Sequence, residues 1–116
     1  AKSVSREDTF AHDLHDDADV ERELLRLVGK VAADLRGDGL RARTITVKVR
    51  DADFTTRQAA RTLDEPVESD RAIAAVARPL LRRLRRARRV GVRLLGVACS
   101  GFAEARGVPD PAAQLG

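Results

Sequence analysis

Two segments of the chain carry apolar residues at three- and four-residue spacing, and each leads into a segment where apolar and polar residues alternate. In the first, Val20, Leu24, Leu27, Val28, Val31 and Leu35 fall on one stripe, the pattern of a helix that buries a single face. Asp16 or Asp17 can cap its start by accepting an unpaired backbone N–H, and Gly37 and Gly39 stop it near Arg36. The second helix, from Asp70 to about Ala87 and capped by Ser69, carries Ile73, Val76, Ala77, Leu80 and Leu84. Pro79 lies inside it. A proline there removes a backbone bond and costs about 3 kcal/mol, so the expectation is a kink or a helix that effectively starts later.

The clearest strand is Thr44–Arg50, with Ile45, Val47 and Val49 inward and Thr44, Thr46, Lys48 and Arg50 outward. Asp51-Ala52-Asp53 is a turn shaped by its carboxylates, and Phe54 to Leu63 reads as the returning antiparallel strand. Lys2 to Phe10 is an edge strand anchored by Val4 and Phe10, followed by a loop from Ala11 to Asp17. From Arg88 to Val97, Val90, Val92 and Leu94 alternate with Arg89, Gly91 and Arg93, which predicts a last strand with one cationic face. There Gly91 would let a polyanion approach the main chain between Arg89 and Arg93; the plain alternative is a strand with solvated arginines.

The order strand, helix, strand, strand, helix, strand implies an α+β fold. It is a βαββαβ two-layer sandwich with a four-stranded sheet. Each helix has one apolar stripe, so both pack on the same side and leave the other sheet face open. A face of threonine, lysine and arginine without helices over it is where a ligand is expected.

At 116 residues the chain is one domain. Its net charge of +4 understates its basicity, because Arg71 to Arg93 contains nine arginines and no acid. The acids gather in Asp13–Glu23 and Asp64–Asp70, where helices begin and the backbone dipole favours them. The basic excess calls for a polyanionic partner. The arginines of the second helix read as a solvated face and a secondary contact surface. Phe10, Phe54 and Phe102 are the only aromatics, which argues against a base-stacking platform for single strands or RNA.

Catalytic constellations are thin. Cys99 stands alone, so no internal disulfide or cysteine-rich zinc site is expected, and it reads as a buried, inert thiol. His12 and His15, near Asp13, Asp16 and Asp17, read as a solvated pair and not as a metal site. No glycine-rich phosphate loop opens either helix. Acylphosphatases share the βαββαβ order and pair an arginine with an asparagine, but this sequence has no asparagine. The segment is therefore expected to have no catalytic residues, no metal and no cofactor of its own. It has no apolar run of about 18 residues and no signal-peptide core, so the expectation is an intracellular, cytoplasmic protein with no membrane partner.

Several segments in order resemble a known family: Lys2-Ser3-Val4-Ser5, Glu7-Asp8-Thr9-Phe10, Leu40 to Arg50, Ala52 to Arg57, Arg61-Thr62-Leu63 and Val92 to Val97. Together they are similar to the little finger domain of Y-family translesion DNA polymerases, of the DinB or DNA polymerase IV type. The resemblance runs from Lys2 to about Ala105 and implies a little finger at 1–105 and a flexible tail at 106–116. It also implies a tether to a catalytic core of palm, fingers and thumb, whose carboxylates, absent from this segment, bind magnesium for DNA synthesis across damage. In such a domain the open sheet face lies across the major groove of the primer–template duplex and holds mainly phosphates. The resemblance assigns this contact to Lys2, Ser3, Val4, Ser5, Thr46, Lys48, Thr56, Arg57, Arg61, Arg88, Arg89 and Arg93. Gln58-Ala59-Ala60 departs from the basic or hydroxyl residues of many members, implying a weaker grip there, and Pro79 is not expected in the family's second helix. Gln114-Leu115 resembles the opening of a sliding-clamp-binding motif. The alternative function is therefore a protein-interaction module that docks on the sliding clamp or on the catalytic core.

Overall fold

The computed structural model describes residues 3–104. In it, Asp16 Oδ1 accepts the Ala18 N–H at 2.7 Å and starts α1 (Asp17–Gly37). Asp17 and Asp19 in the first turn and Arg36 in the last complement the helix dipole. Gly39, at φ +66°, makes the left-handed turn into β2 (Leu40–Asp51) that most side chains resist. After a short turn, β3 (Thr56–Val67) returns antiparallel to β2. Ser69 Oγ then accepts the Ala72 N–H at 3.1 Å and starts α2 (Asp70–Ala87).

The helix α2 starts at Asp70 and runs through Pro79 as one element, which corrects the expectation of a later start. Pro79 and Ala75, whose carbonyl the proline leaves without its usual donor, both lie on the exposed side. Water can take that carbonyl, so the helix tolerates the residue.

The first strand, β1, spans Ser3–Leu14, and the last, β4, spans Val92–Glu104. Neighbouring strands are antiparallel in the order β1-β4-β2-β3. The unit β1–α1–β2 therefore straddles β4, while β3–α2–β4 straddles β2. In this way two βαβ units share one sheet. The helix α1 lies over β1 and β4, and α2 over β2 and β3. Between helices and sheet lies an aliphatic core that includes Leu24, Leu27, Leu35, Ile45, Val47, Val49, Ile73, Leu81, Leu95 and Val97. Cys99 belongs to it, and burial pushes its thiol pKa up to about 12, as an inert thiol requires.

The limits of every strand differ from the sequence reading: β2 starts already at Leu40, β3 starts at Thr56 instead of Phe54 and runs on to Val67, and β4 continues to Glu104. Residues 11–14, expected in a loop, continue β1 beyond a register shift between Thr9 and Leu14, so that Leu14 pairs with Val92. Arg88 and Arg89, expected in the last strand, precede it. Pairing with β1 and β2 begins only at Val92, and the preceding residues bring the chain back from the end of α2.

Candidate nucleic-acid interface

Strand register assigns the side chains to faces. Ile45, Val47 and Val49 of β2 pair with Cys99, Val97 and Leu95 of β4 and with Arg61, Ala59 and Arg57 of β3, all in the helix-side rows. On β1, Val4, Arg6 and Asp8 share those rows. Their contacts agree: Val4 packs on the core, Arg6 Nε donates to Asp34 Oδ2 on α1 at 2.7 Å, and Arg26 of α1 pairs with Asp8.

The opposite rows form the open face. Ser3, Ser100, Thr44 and Thr62 make one row across all four strands, followed by Ser5, Ala98, Thr46 and Ala60. Next come Glu7, Gly96, Lys48 and Gln58, then Thr9, Leu94, Arg50 and Thr56. The hydroxyls of Thr44 and Thr62 stand 3.0 Å apart, and Arg50 Nε donates to Thr56 Oγ1 at 3.1 Å. Along β4 the small residues Gly96 and Ala98 leave a trough of about 190 Å³, whose lining includes Ser5, Thr46, Lys48 and Gln58. Lys48 Nζ reaches over Gly96 to Glu7 Oε2 at 3.0 Å. A Cβ on Gly96 would stand 3.2 Å from Glu7 Cβ, so the glycine keeps this crossing open.

The expected contact residues divide between the two sides. Ser3, Ser5, Thr46, Lys48 and Thr56 come together on the open face. Val4 packs on the core, and Lys2 lies outside the described residues, as do Gln114, Leu115 and the rest of the tail. Arg61, opposite Ile45, is exposed in a helix-side row.

Arg57 turns inward. Its Nε and Nη2 donate to Asp51 Oδ2 and Oδ1 at 2.9 and 3.0 Å, and its Nη1 to the Leu84 carbonyl at 2.6 Å. Asp51 is fully buried, and Arg88 Nη1 adds a bond to it at 2.9 Å. Arg57 thus satisfies a buried carboxylate and one of the last carbonyls of α2 at once. Arg88 also grips Asp53, whose carboxyl the Arg88 hydrogen bonds hold well below the ordinary carboxylate range. Asp53 Oδ1 takes the Thr55 N–H at 3.0 Å, so the turn is shaped by its carboxylates as expected.

Arg89 is paired at 2.9 Å with Asp17, on the first turn of α1 and away from the open face. Burial works to raise the Asp17 pKa, but the hydrogen bonds from Arg85 and Arg89 outweigh it and hold the carboxyl low. Gly91 is no gap for a ligand: a Cβ there would stand 2.7 Å from His15 Cε1 and 3.0 Å from Asp13 Cβ, because the end of β1 covers it. Arg93 sits at the end of the sheet, its guanidinium 4.6 Å from the centre of the Phe54 ring and its Nε 3.5 Å from Asp13 Oδ1. The glycine that borders a trough on the open face is Gly96 and not Gly91, with the Lys48–Glu7 pair crossing over it. Sequence spacing could have singled it out as the small residue opposite Lys48, had the strand order been known.

The helix-free face, flat and hydroxyl-lined with few cations, suits a phosphate backbone held by many weak contacts. Among the described residues no group of three or more His, Cys, Asp or Glu could hold a metal ion. No described helix is long and apolar enough to cross a membrane.

Comparisons with known proteins agree with this geometry. The family model described as impB/mucB/samB family C-terminal domain matches residues 1–116. A DNA polymerase IV of Dehalococcoides mccartyi (strain CBDB1) is 40% identical over 102 residues, covering 88% of this chain and 26% of that protein. A DNA polymerase IV of Streptomyces coelicolor is 42% identical over 103 residues, covering 89% of this chain and 21% of that protein. The chain thus spans about a quarter of the length of these relatives. Among solved structures, a Y-family DNA polymerase chimera superposes with a TM-score of 0.79 at 22% identity, over 90% of this chain and 29% of that one, a likeness of fold alone. A chain in a complex of the beta-clamp processivity factor and the little finger domain of PolIV gives 0.67 at 25% identity, over 84% of this chain and 86% of that one. The match over the whole chain bears out the resemblance read from the sequence: the chain belongs to the impB/mucB/samB C-terminal domain family.

Proposed function

We propose that this chain is the DNA-binding little finger of a cytoplasmic Y-family translesion DNA polymerase, and that it holds the primer–template backbone on its open sheet face. The observation that carries this reading is the trough over Gly96 and Ala98, flanked by the Ser5 and Thr46 hydroxyls and by Lys48 on the uncovered side of the sheet. Hydroxyls donate to phosphate oxygens without ordering long side chains, and Lys48 can exchange Glu7 for a phosphate at small cost because that pair is solvent-exposed. Arg50 and Thr56 extend the contact toward Arg93, and Ser3 extends it to the start of β1. Because these groups meet phosphates and not base edges, the grip tolerates sequence, as copying across varied damaged templates requires.

In this reading Arg57 and Arg88 hold the frame at the end of the sheet, and Arg61 and Arg89 stand off the contact. The chain does no chemistry of its own. Nucleotidyl transfer and the magnesium that supports it belong to a catalytic core outside this segment, and the described residues offer no ligand set that fits that ion. The test is Thr46→Glu, which places a like charge in the middle of the face. It is expected to weaken binding of a labelled primer–template by about tenfold or more at low salt. Unchanged affinity would contradict the reading.

The likeness to a chain in the clamp complex favours a second contact, docking on a sliding clamp. Clamp docking uses other surfaces in this reading, so Thr46→Glu should leave clamp affinity unchanged.

A further inference from the structure

On the helix side, a half-open cleft of about 240 Å³ lies where α1 begins and α2 ends. Asp17, Glu21, Arg82, Arg85, Arg86 and Arg89 line it. Both carboxylates are shared. Glu21 Oε1 takes Arg82 Nη2 at 2.9 Å and Arg78 Nε at 3.4 Å, while Asp17 takes Arg85 Nε at 3.1 Å and Arg89 Nη1 at 2.9 Å. Arg86 is exposed and has no hydrogen bond or ion pair to the described residues. Five guanidinium groups therefore face two carboxylates, which leaves three positive charges in excess. Gathering like charges around one cleft is unfavourable in the free protein, and a polyanion relieves it.

We infer that this cleft is a second phosphate-binding surface, which takes the backbone of a nucleic-acid segment on the side of the domain opposite the sheet. Two observations select nucleic acid over an acidic protein. Apart from Val20 and Leu81, which are only 0% and 3% exposed, the cleft is lined by charged side chains, so the apolar surface it offers a protein segment is mainly arginine stems. In addition, Arg78, Arg82 and Arg86 follow one another at four-residue steps, which a helix spaces about 6 Å apart along its axis, a row that can follow successive phosphates of a strand. Arg85 acts as the fixed post of the site. It is 5% exposed, bonded to Asp17 and to the carbonyls of His15 and Val90, and unavailable to a ligand. Arg82, Arg86 and Arg89 are the exposed, exchangeable cations.

The inference does not rest on the sheet-face reading, and one experiment separates the two. A labelled 20-base-pair duplex and a labelled single strand of thymidines serve as probes, with the chain carrying either Arg82→Ala with Arg86→Ala or Lys48→Ala with Arg50→Ala. All four positions are exposed or half-buried, and circular dichroism verifies folding. The α2 pair is expected to weaken a second, lower-affinity class of duplex sites and to flatten the slope of log K against log salt by about 1.8 for that class. The β2 pair should leave that class intact. If the α2 pair leaves stoichiometry and slope unchanged, the inference is overturned whatever the β2 pair does. If polyglutamate binds this cleft and neither DNA probe does, it is overturned in favour of an acidic protein. Loss of binding with the β2 pair alone supports the sheet face and overturns the cleft.

Discussion

At Asp51 a carboxylate with no exposed surface takes two bonds from Arg57 and one from Arg88, and Arg57 spends a further donor on the end of α2. Leaving that charge with half its partners is costly. Arg57→Ala is expected to destabilise the domain by about 3 kcal/mol, whereas Arg61→Ala, at an exposed position, should change stability by less than about 0.5 kcal/mol. Urea unfolding midpoints distinguish the two, and equal effects would contradict the assignment of Arg57 to the frame. Asp53 supplies a pH dependence. Because Arg88 lowers its pKa in the folded state, Asp53 contributes stability above the ordinary carboxylate value of 3.8. That contribution fades as pH falls below 3.8 toward the folded-state value. Asp53→Asn should therefore reduce the loss of stability on acidification, measured as the change in urea midpoint with pH. The sequence marked Asp51 and Asp53 as turn-shaping residues, but not their arginines, because Arg57 and Arg88 approach only once β3 and the end of α2 are packed together.

Among the elements, what could be read in advance was whatever depends on residues near one another in the chain. The caps at Asp16 and Ser69, the single stripes of α1 and α2 and the alternation in β2 all fall where local spacing places them. What could not be read depends on a neighbouring strand. Val90 continues the apolar alternation upstream, so the sequence extends the last strand to Arg88. Pairing stops at Val92, because the end of β1 folds across Gly91. Gly91→Ala would push the added methyl into His15 and Asp13, and should cost about 1–3 kcal/mol, read from thermal unfolding. In α2, proline at an exposed interior position gives up a bond without breaking the helix. Pro79→Ala is expected to raise stability by about 2 kcal/mol, and a lower urea midpoint would contradict it.

For the molecule as a whole, the pattern of charge changes meaning once folded. Most arginines between Arg71 and Arg93 do not face the open sheet but meet the acids of α1 and of the β2–β3 turn. The uncovered face is largely hydroxyls, with Lys48 and Arg50 as its main cations and Arg93 at its edge. The domain therefore separates a lightly charged open face from a strongly charged helix side, and under the proposed function its open face should bind duplex DNA with a modest salt dependence. The most direct measurement is fluorescence anisotropy of a labelled primer–template with the chain and with Lys48→Ala and Arg50→Ala, each alone, from about 20 to 200 mM salt. The account predicts tight binding at low salt and a slope that each substitution flattens by about 0.9. Binding that neither substitution alters, in affinity or in slope, would contradict it and take the DNA off the sheet.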